Sequence, residues 1–178
     1  MVQQALHAVM AYEDFITGER AREAWAHLLH SLKAKYSPGL RMWNFNVLRI
    51  TELRNIAATD AAEADMILIA TRGAGELPRE VKAWIDGWLA QQTEGQDNQR
   101  TLSVLFNAPD HVGAPPCGQF TYLQCVAREA HMGFFGVNLR SIKRESNHGP
   151  ATLYSHRPWR ACKQSVGRVH YHNRTCRP

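Results

Sequence analysis

Met66-Ile67-Leu68-Ile69-Ala70 is an unbroken apolar run, five residues long. A run this short, rich in branched side chains, predicts a strand. A strand without polar positions needs both faces covered, which happens at the centre of a parallel sheet flanked by helices. The flanking segments supply those helices. Glu52 to Glu63 has helical composition, with Thr51 as its expected N-cap. After a loop from Thr71 to Leu77, Pro78 is expected as the first helical residue. Val81, Trp84, Ile85, Trp88 and Leu89 then form an apolar stripe at helical spacing.

Farther out, the alternation repeats. His7 to Tyr12 is a short apolar segment and predicts a buried strand. From Thr17 the period lengthens: Ala21, Ala24, Trp25, Leu28, Leu29 and Leu32 share one helical face, and Ser37-Pro38-Gly39 is expected to stop that helix. Met42 to Leu48 alternates, with Trp43, Phe45 and Val47 against Asn44 and Asn46. That pattern predicts an edge strand with one wet face. Leu102 to Phe106 predicts a fourth strand. Three prolines and a glycine make 107–116 a loop, and Phe120, Leu123, Val126, Ala127 and Ala130 a fourth helix. Phe134 to Val137 is the last strand, expected at an edge because glycines flank it.

Strict β-α alternation implies parallel strands with right-handed crossovers. An edge second strand and a central third strand fit the order 2-1-3-4-5. The expected fold class is therefore α/β: a three-layer α/β/α sandwich with a five-stranded, mostly parallel sheet.

The 178 residues carry a net charge of +5, unevenly distributed. Residues 1–137 hold 12 Lys/Arg against 15 Asp/Glu, a balance of −3. Residues 138–178 hold 9 Lys/Arg and a single acid, Glu145, a balance of +8. This divides the chain into a mildly acidic domain over 5–137 and a basic tail over 138–178. The tail, interrupted by Gly149, Pro150, Pro158 and Gly167, keeps no period and is expected to be irregular or disordered. Its Arg, His, Cys and Trp usage departs sharply from the domain, as a shift of reading frame near codon 138 would also produce. Cys162, His170, His172 and Cys176 are zinc-ligand types at no usual zinc spacing. The four cysteines form no CxxC pair, so reduced thiols are expected. No apolar run has the length of a membrane span, and no secretory signal is evident. No membrane partner is expected, and cytoplasmic residence is the default.

In a 2-1-3-4-5 sheet, ligands bind beyond the carboxyl ends of strands one and three, where the winding direction reverses. Two loops meet there: Tyr12-Glu13-Asp14-Phe15-Ile16-Thr17-Gly18 and Thr71-Arg72-Gly73-Ala74-Gly75-Glu76-Leu77, with Asn107 close behind. The candidate ligand-binding residues are Tyr12, Glu13, Asp14, Thr17, Thr71, Arg72, Gly73 and Asn107. Glu13 and Asp14 could hold a divalent cation such as magnesium. The plainer alternative has Asp14 capping the first helix and Glu13 solvated. The Thr71-Arg72-Gly73 turn could cradle a phosphate or carboxylate, or Arg72 could pair with Glu13 or Asp14 and neutralise the site internally.

The strand order, the helix lengths and the acid pair Glu13-Asp14 resemble a response-regulator receiver domain, a flavodoxin-like topology, over about residues 5–137. The resemblance implies that acids after strand one bind magnesium, and that an aspartate after strand three accepts a phosphoryl group. Glu13 and Asp14 match the first feature. The third strand ends Ile69-Ala70-Thr71 with no aspartate, and the fifth ends near Val137-Asn138 with no lysine. The chain also resembles small bacterial proteins of unassigned activity that carry an Ala-Thr-Arg-Gly turn and a Leu-Pro helix start. The resemblance implies a signalling or protein-interaction module that cannot be phosphorylated. The alternative is a binding protein or enzyme for a nucleotide or other small anion, using the crevice after strands one and three. A nucleic-acid role would belong to the tail alone. It predicts salt-sensitive binding in a mobility-shift titration that is lost when residues 138–178 are deleted.

Overall fold

Parallel ladders join all five strands, and the helices between them cover both faces. The computed structural model describes residues 4–31, 36–73, 75–92, 100–106 and 117–139. The strands are β1 (Gln4–Tyr12), β2 (Tyr36–Asn44), β3 (Met66–Thr71), β4 (Thr101–Phe106) and β5 (Gly133–Asn138). The helices are α1 (Phe15–Ser31), α2 (Thr51–Glu63), α3 (Arg79–Leu89) and α4 (Cys117–Glu129), with a 3-10 turn at Val47–Arg49. The sheet order is β2-β1-β3-β4-β5, and every pairing is parallel. The basic tail from residue 140 and the 107–116 loop lie outside the described residues.

The period of two in the strands sorts side chains between the two faces. Val9, Ala11, Ile67, Ile69, Leu102, Val104 and Phe106 join one core with α2, α3 and α4. Ala8, Met10, Leu68, Ala70 and Leu105 join a second with Ala21 and Trp25 of α1. The run at 67–70 is fully buried because it serves both cores. The α3 stripe delivers Val81, Trp84, Ile85 and Trp88 to the first core, all buried. The apolar bulk of Trp84 and Trp88 goes in with indole N–H groups that find no acceptor among the described residues. Packing area outweighs a hydrogen bond there. Gly87 lets α3 approach α2: a Cβ at that position would lie 3.2 Å from the Ala58 Cβ.

Three local expectations shift. β2 starts six residues and ends four residues earlier than the alternation at Met42 to Leu48 suggests, so Ser37, Pro38 and Gly39 lie inside the strand rather than ending α1. An edge strand tolerates proline because only one side of its backbone is paired. Thr51 is the first helical residue and Ile50 the N-cap, which makes no side-chain capping bond. Pro78 stands at the N-cap of α3, one position before its expected place, with its carbonyl accepting from Val81 and Lys82.

Polar contacts tie these layers at their ends. Asp60 on α2, nearly buried, accepts from the Trp43 indole at 3.2 Å and pairs with Arg41, fastening the edge strand. Arg100, just before β4, is buried and donates to the carbonyls of Ala64 (2.8 Å) and Ala61 (2.5 Å). A cation there satisfies the terminal carbonyls of α2 and complements its dipole. α4 ends in a paired turn in which Met132 N–H donates to Ala127 O at 2.8 Å and His131 N–H to Arg128 O at 3.2 Å. His131 sits at φ 52°, the left-handed position that favours glycine. The substitution His131→Gly is expected to raise stability by about 0.5–1 kcal/mol, measured as a higher urea midpoint. An unchanged or lower midpoint would show that the histidine bears no backbone strain.

Candidate functional site

The carboxyl ends of β1 and β3 lie side by side, with Tyr12 opposite Ala70 in the ladder. Glu13 N–H extends that ladder by donating to Ala70 O at 2.9 Å. The two following loops therefore share one cleft, as the topology demands. The structure brings seven of the candidates to this neighbourhood: Tyr12, Glu13, Asp14, Thr17, Thr71, Arg72 and Gly73. Asn107 lies outside the described residues.

Each side chain has a local reason for its place. Asp14 precedes α1 and accepts from the Thr17 amide at 2.8 Å, a third-residue N-cap contact. Its other oxygen takes the Arg72 Nε at 2.5 Å. Burial pushes the Asp14 carboxyl up. The Thr17 amide and the Arg72 guanidinium outweigh that and hold it below its ordinary 3.8. Thr17 itself is fully buried. The Tyr12 ring lies against the first turn of α1, where a Cβ on Gly18 would come within 2.6 Å of its Cδ2. Tyr12 is thus packed between the sheet and α1.

Glu13 is bound to the chain and does not stand free in solvent. Its Oε2 accepts from the Thr71 hydroxyl at 2.8 Å and from the Arg72 backbone amide at 2.7 Å. Gly73, at φ 79°, turns its own N–H onto Thr71 Oγ1 at 3.2 Å. Arg72 is thereby used twice, by its amide for Glu13 and by its guanidinium for Asp14. Of the alternatives left open by the sequence, internal neutralisation is the one the geometry adopts for Arg72. The helix-capping alternative holds for Asp14.

Gln119, in the first turn of α4, is a member that sequence patterning missed. It is buried, and its Oε1 lies 3.0 Å from Thr71 Oγ1. Thr71 has one hydroxyl proton and two acceptors in reach. The Glu13 carboxylate and Gln119 Oε1 therefore compete for that proton, and the charged, closer carboxylate is the stronger acceptor. The strand period places Thr71 on the same face as Ile67 and Ile69, under α4, so this contact follows from β3 geometry. A lone Gln between Gly118 and Phe120 gives no signal of burial in the sequence.

Among the described residues, no group of three or more His, Cys, Asp or Glu side chains gathers as a metal site. Glu13 and Asp14 remain the two oxygen-ligand candidates, each already holding donors from the protein. Likewise among the described residues, no helix is long and apolar enough to cross a membrane.

Comparison with protein-family models, curated proteins and solved structures finds no match to this chain.

Removing the Asp14 charge isolates its acid-side contribution. Asp14→Asn keeps an N-capping oxygen but loses the ion pair with Arg72. A carboxyl with a depressed folded pKa stabilises the protein above its unfolded value, and that stability is lost as pH falls through the folded value. The urea-midpoint gap between wild type and Asp14→Asn is therefore expected at neutral pH and to close in strong acid. A gap that stays constant down to about pH 2 would show that the Asp14 charge contributes nothing.

Proposed function

We propose that this chain is a receiver-like protein-interaction module that takes up no phosphoryl group, serving in signalling within the cytoplasm of a bacterial cell. The observation that carries this reading is the use of the acid pair. Glu13 and Asp14 hold Thr71 and Arg72 in place across the cleft, and β3 ends on a threonine, Thr71, buried against Gln119. A carboxylate acceptor is missing from the position that would need one, and the acids act as internal fasteners. Such a cleft keeps one fixed shape, which suits a surface recognised by a protein.

Apolar area of the kind a protein partner buries lies next to this cleft. Phe15 and Ile16, directly after the acid pair, are 76% and 57% exposed. Magnesium remains the cation suited to Glu13 and Asp14 if one binds, held through their oxygens. The alternative reading, a protein for small anionic ligands, is supported by the exposed Arg72 guanidinium and the glycine turn beside it.

The test is incubation with a small-molecule phosphodonor and magnesium, followed by intact-mass measurement. The expected result is an unchanged mass, with amide chemical shifts at Glu13, Asp14 and Thr71 the same as in a control containing magnesium alone. A phosphoryl adduct would reject the reading.

A further inference from the structure

Thr71 and Arg72 hold a carboxylate in the way an oxyanion receptor does: one hydroxyl and one backbone amide converge on a single oxygen, at 2.8 and 2.7 Å. The receptor is preorganised from behind. Gly73 N–H donates to the Thr71 hydroxyl oxygen, the buried Gln119 packs its Oε1 3.0 Å from it, and the β1–β3 ladder fixes the backbone at Ala70. The occupant is the chain's own Glu13, delivered from the neighbouring strand end.

We infer that the Thr71-Arg72 turn is a carboxylate-binding site kept shut by Glu13, so that an external carboxylate enters only in competition with that side chain. This goes beyond the interaction role proposed above and does not rest on it. A tethered carboxylate is present at high effective concentration, which an untethered acid in solution cannot match. The wild-type site is therefore closed to simple acids and admits only a carboxylate that brings further contacts of its own.

Local charge selects the ligand. Glu13, Asp14 and Arg72 together carry −1, and removing Glu13 leaves the Asp14–Arg72 pair neutral. A monoanion restores the original balance. A phosphate dianion overshoots it and meets Asp14 as a like charge. The site therefore prefers a singly charged carboxylate to inorganic phosphate.

The experiment is a titration of wild type, Glu13→Ala and Glu13→Gln with sodium acetate and with inorganic phosphate, at constant ionic strength. Backbone amide shifts of Arg72 and Gly73 are followed, together with the melting temperature. In Glu13→Ala, acetate is expected to shift the Arg72 amide saturably, with half-saturation on the order of 10 mM, and to recover part of the lost melting temperature. Phosphate is expected to bind more weakly, and wild type to show no site-specific shift. Glu13→Gln keeps an acceptor in place and is expected to stay closed. If Glu13→Ala does not fold without ligand, recovery of the folded spectrum by acetate and not by chloride serves as the readout. An Arg72 amide that ignores acetate in the folded variant, a variant that acetate fails to refold, or equal binding to wild type and Glu13→Ala would overturn the inference. Tighter binding of phosphate than of acetate would overturn its choice of ligand.

Discussion

Parallel neighbours cannot be joined by a hairpin, so each connection must cross a face of the sheet and bury it. Everything else in this molecule follows from that requirement. It makes β3 apolar at every position from 67 to 70, because α1 lies over one face and α2, α3 and α4 over the other. It starts each helix at the same end of the sheet where the preceding strand finishes. It also reverses the winding between β1 and β3, which leaves two loop mouths adjacent with no crossover between them.

The two mouths are fastened by side chains of opposite character. Asp14 and the Arg72 guanidinium form a half-exposed ion pair, sensitive to pH and screened by salt. Glu13, Thr71, Gln119 and the Arg72 amide form a more sheltered hydrogen-bond network in which each group has a geometric role. The second network is the more specific one, since a backbone amide and a β-branched hydroxyl have little freedom to follow a displaced partner.

Much of this was legible in the residues. Continuous apolar runs and helical stripes identified four of the five strands and all four helices, and the contrast between the alternating second strand and the solid third one gave the sheet order. β2 was harder to locate, because Pro38 and Gly39 break most elements and only unpaired edge geometry accommodates them. The alternation at Trp43 to Val47 continued past the strand end for another reason: Phe45 remains buried through the turn that follows β2. The site was legible wherever topology alone sufficed, so Glu13, Asp14, Thr71 and Arg72 could be brought to one cleft from the strand order. Gln119 could not, since its burial depends on where the first turn of α4 settles over the sheet. The partners of Glu13 were hidden as well, since a carboxylate beside a strand end has the same sequence signature whether water or a backbone amide solvates it.

Arg100 has a consequence for the order in which the chain can be completed during synthesis. The last carbonyls of α2 are covered by a guanidinium that follows them by more than thirty-five residues. A ribosome-bound fragment ending at α3 would contain α2 and its packing partners but would lack the plug for that helix end. Until Arg100 has cleared the exit tunnel, water must meet those carbonyls instead, and the amino-terminal half lacks the cation that ties this helix end to the strand that follows.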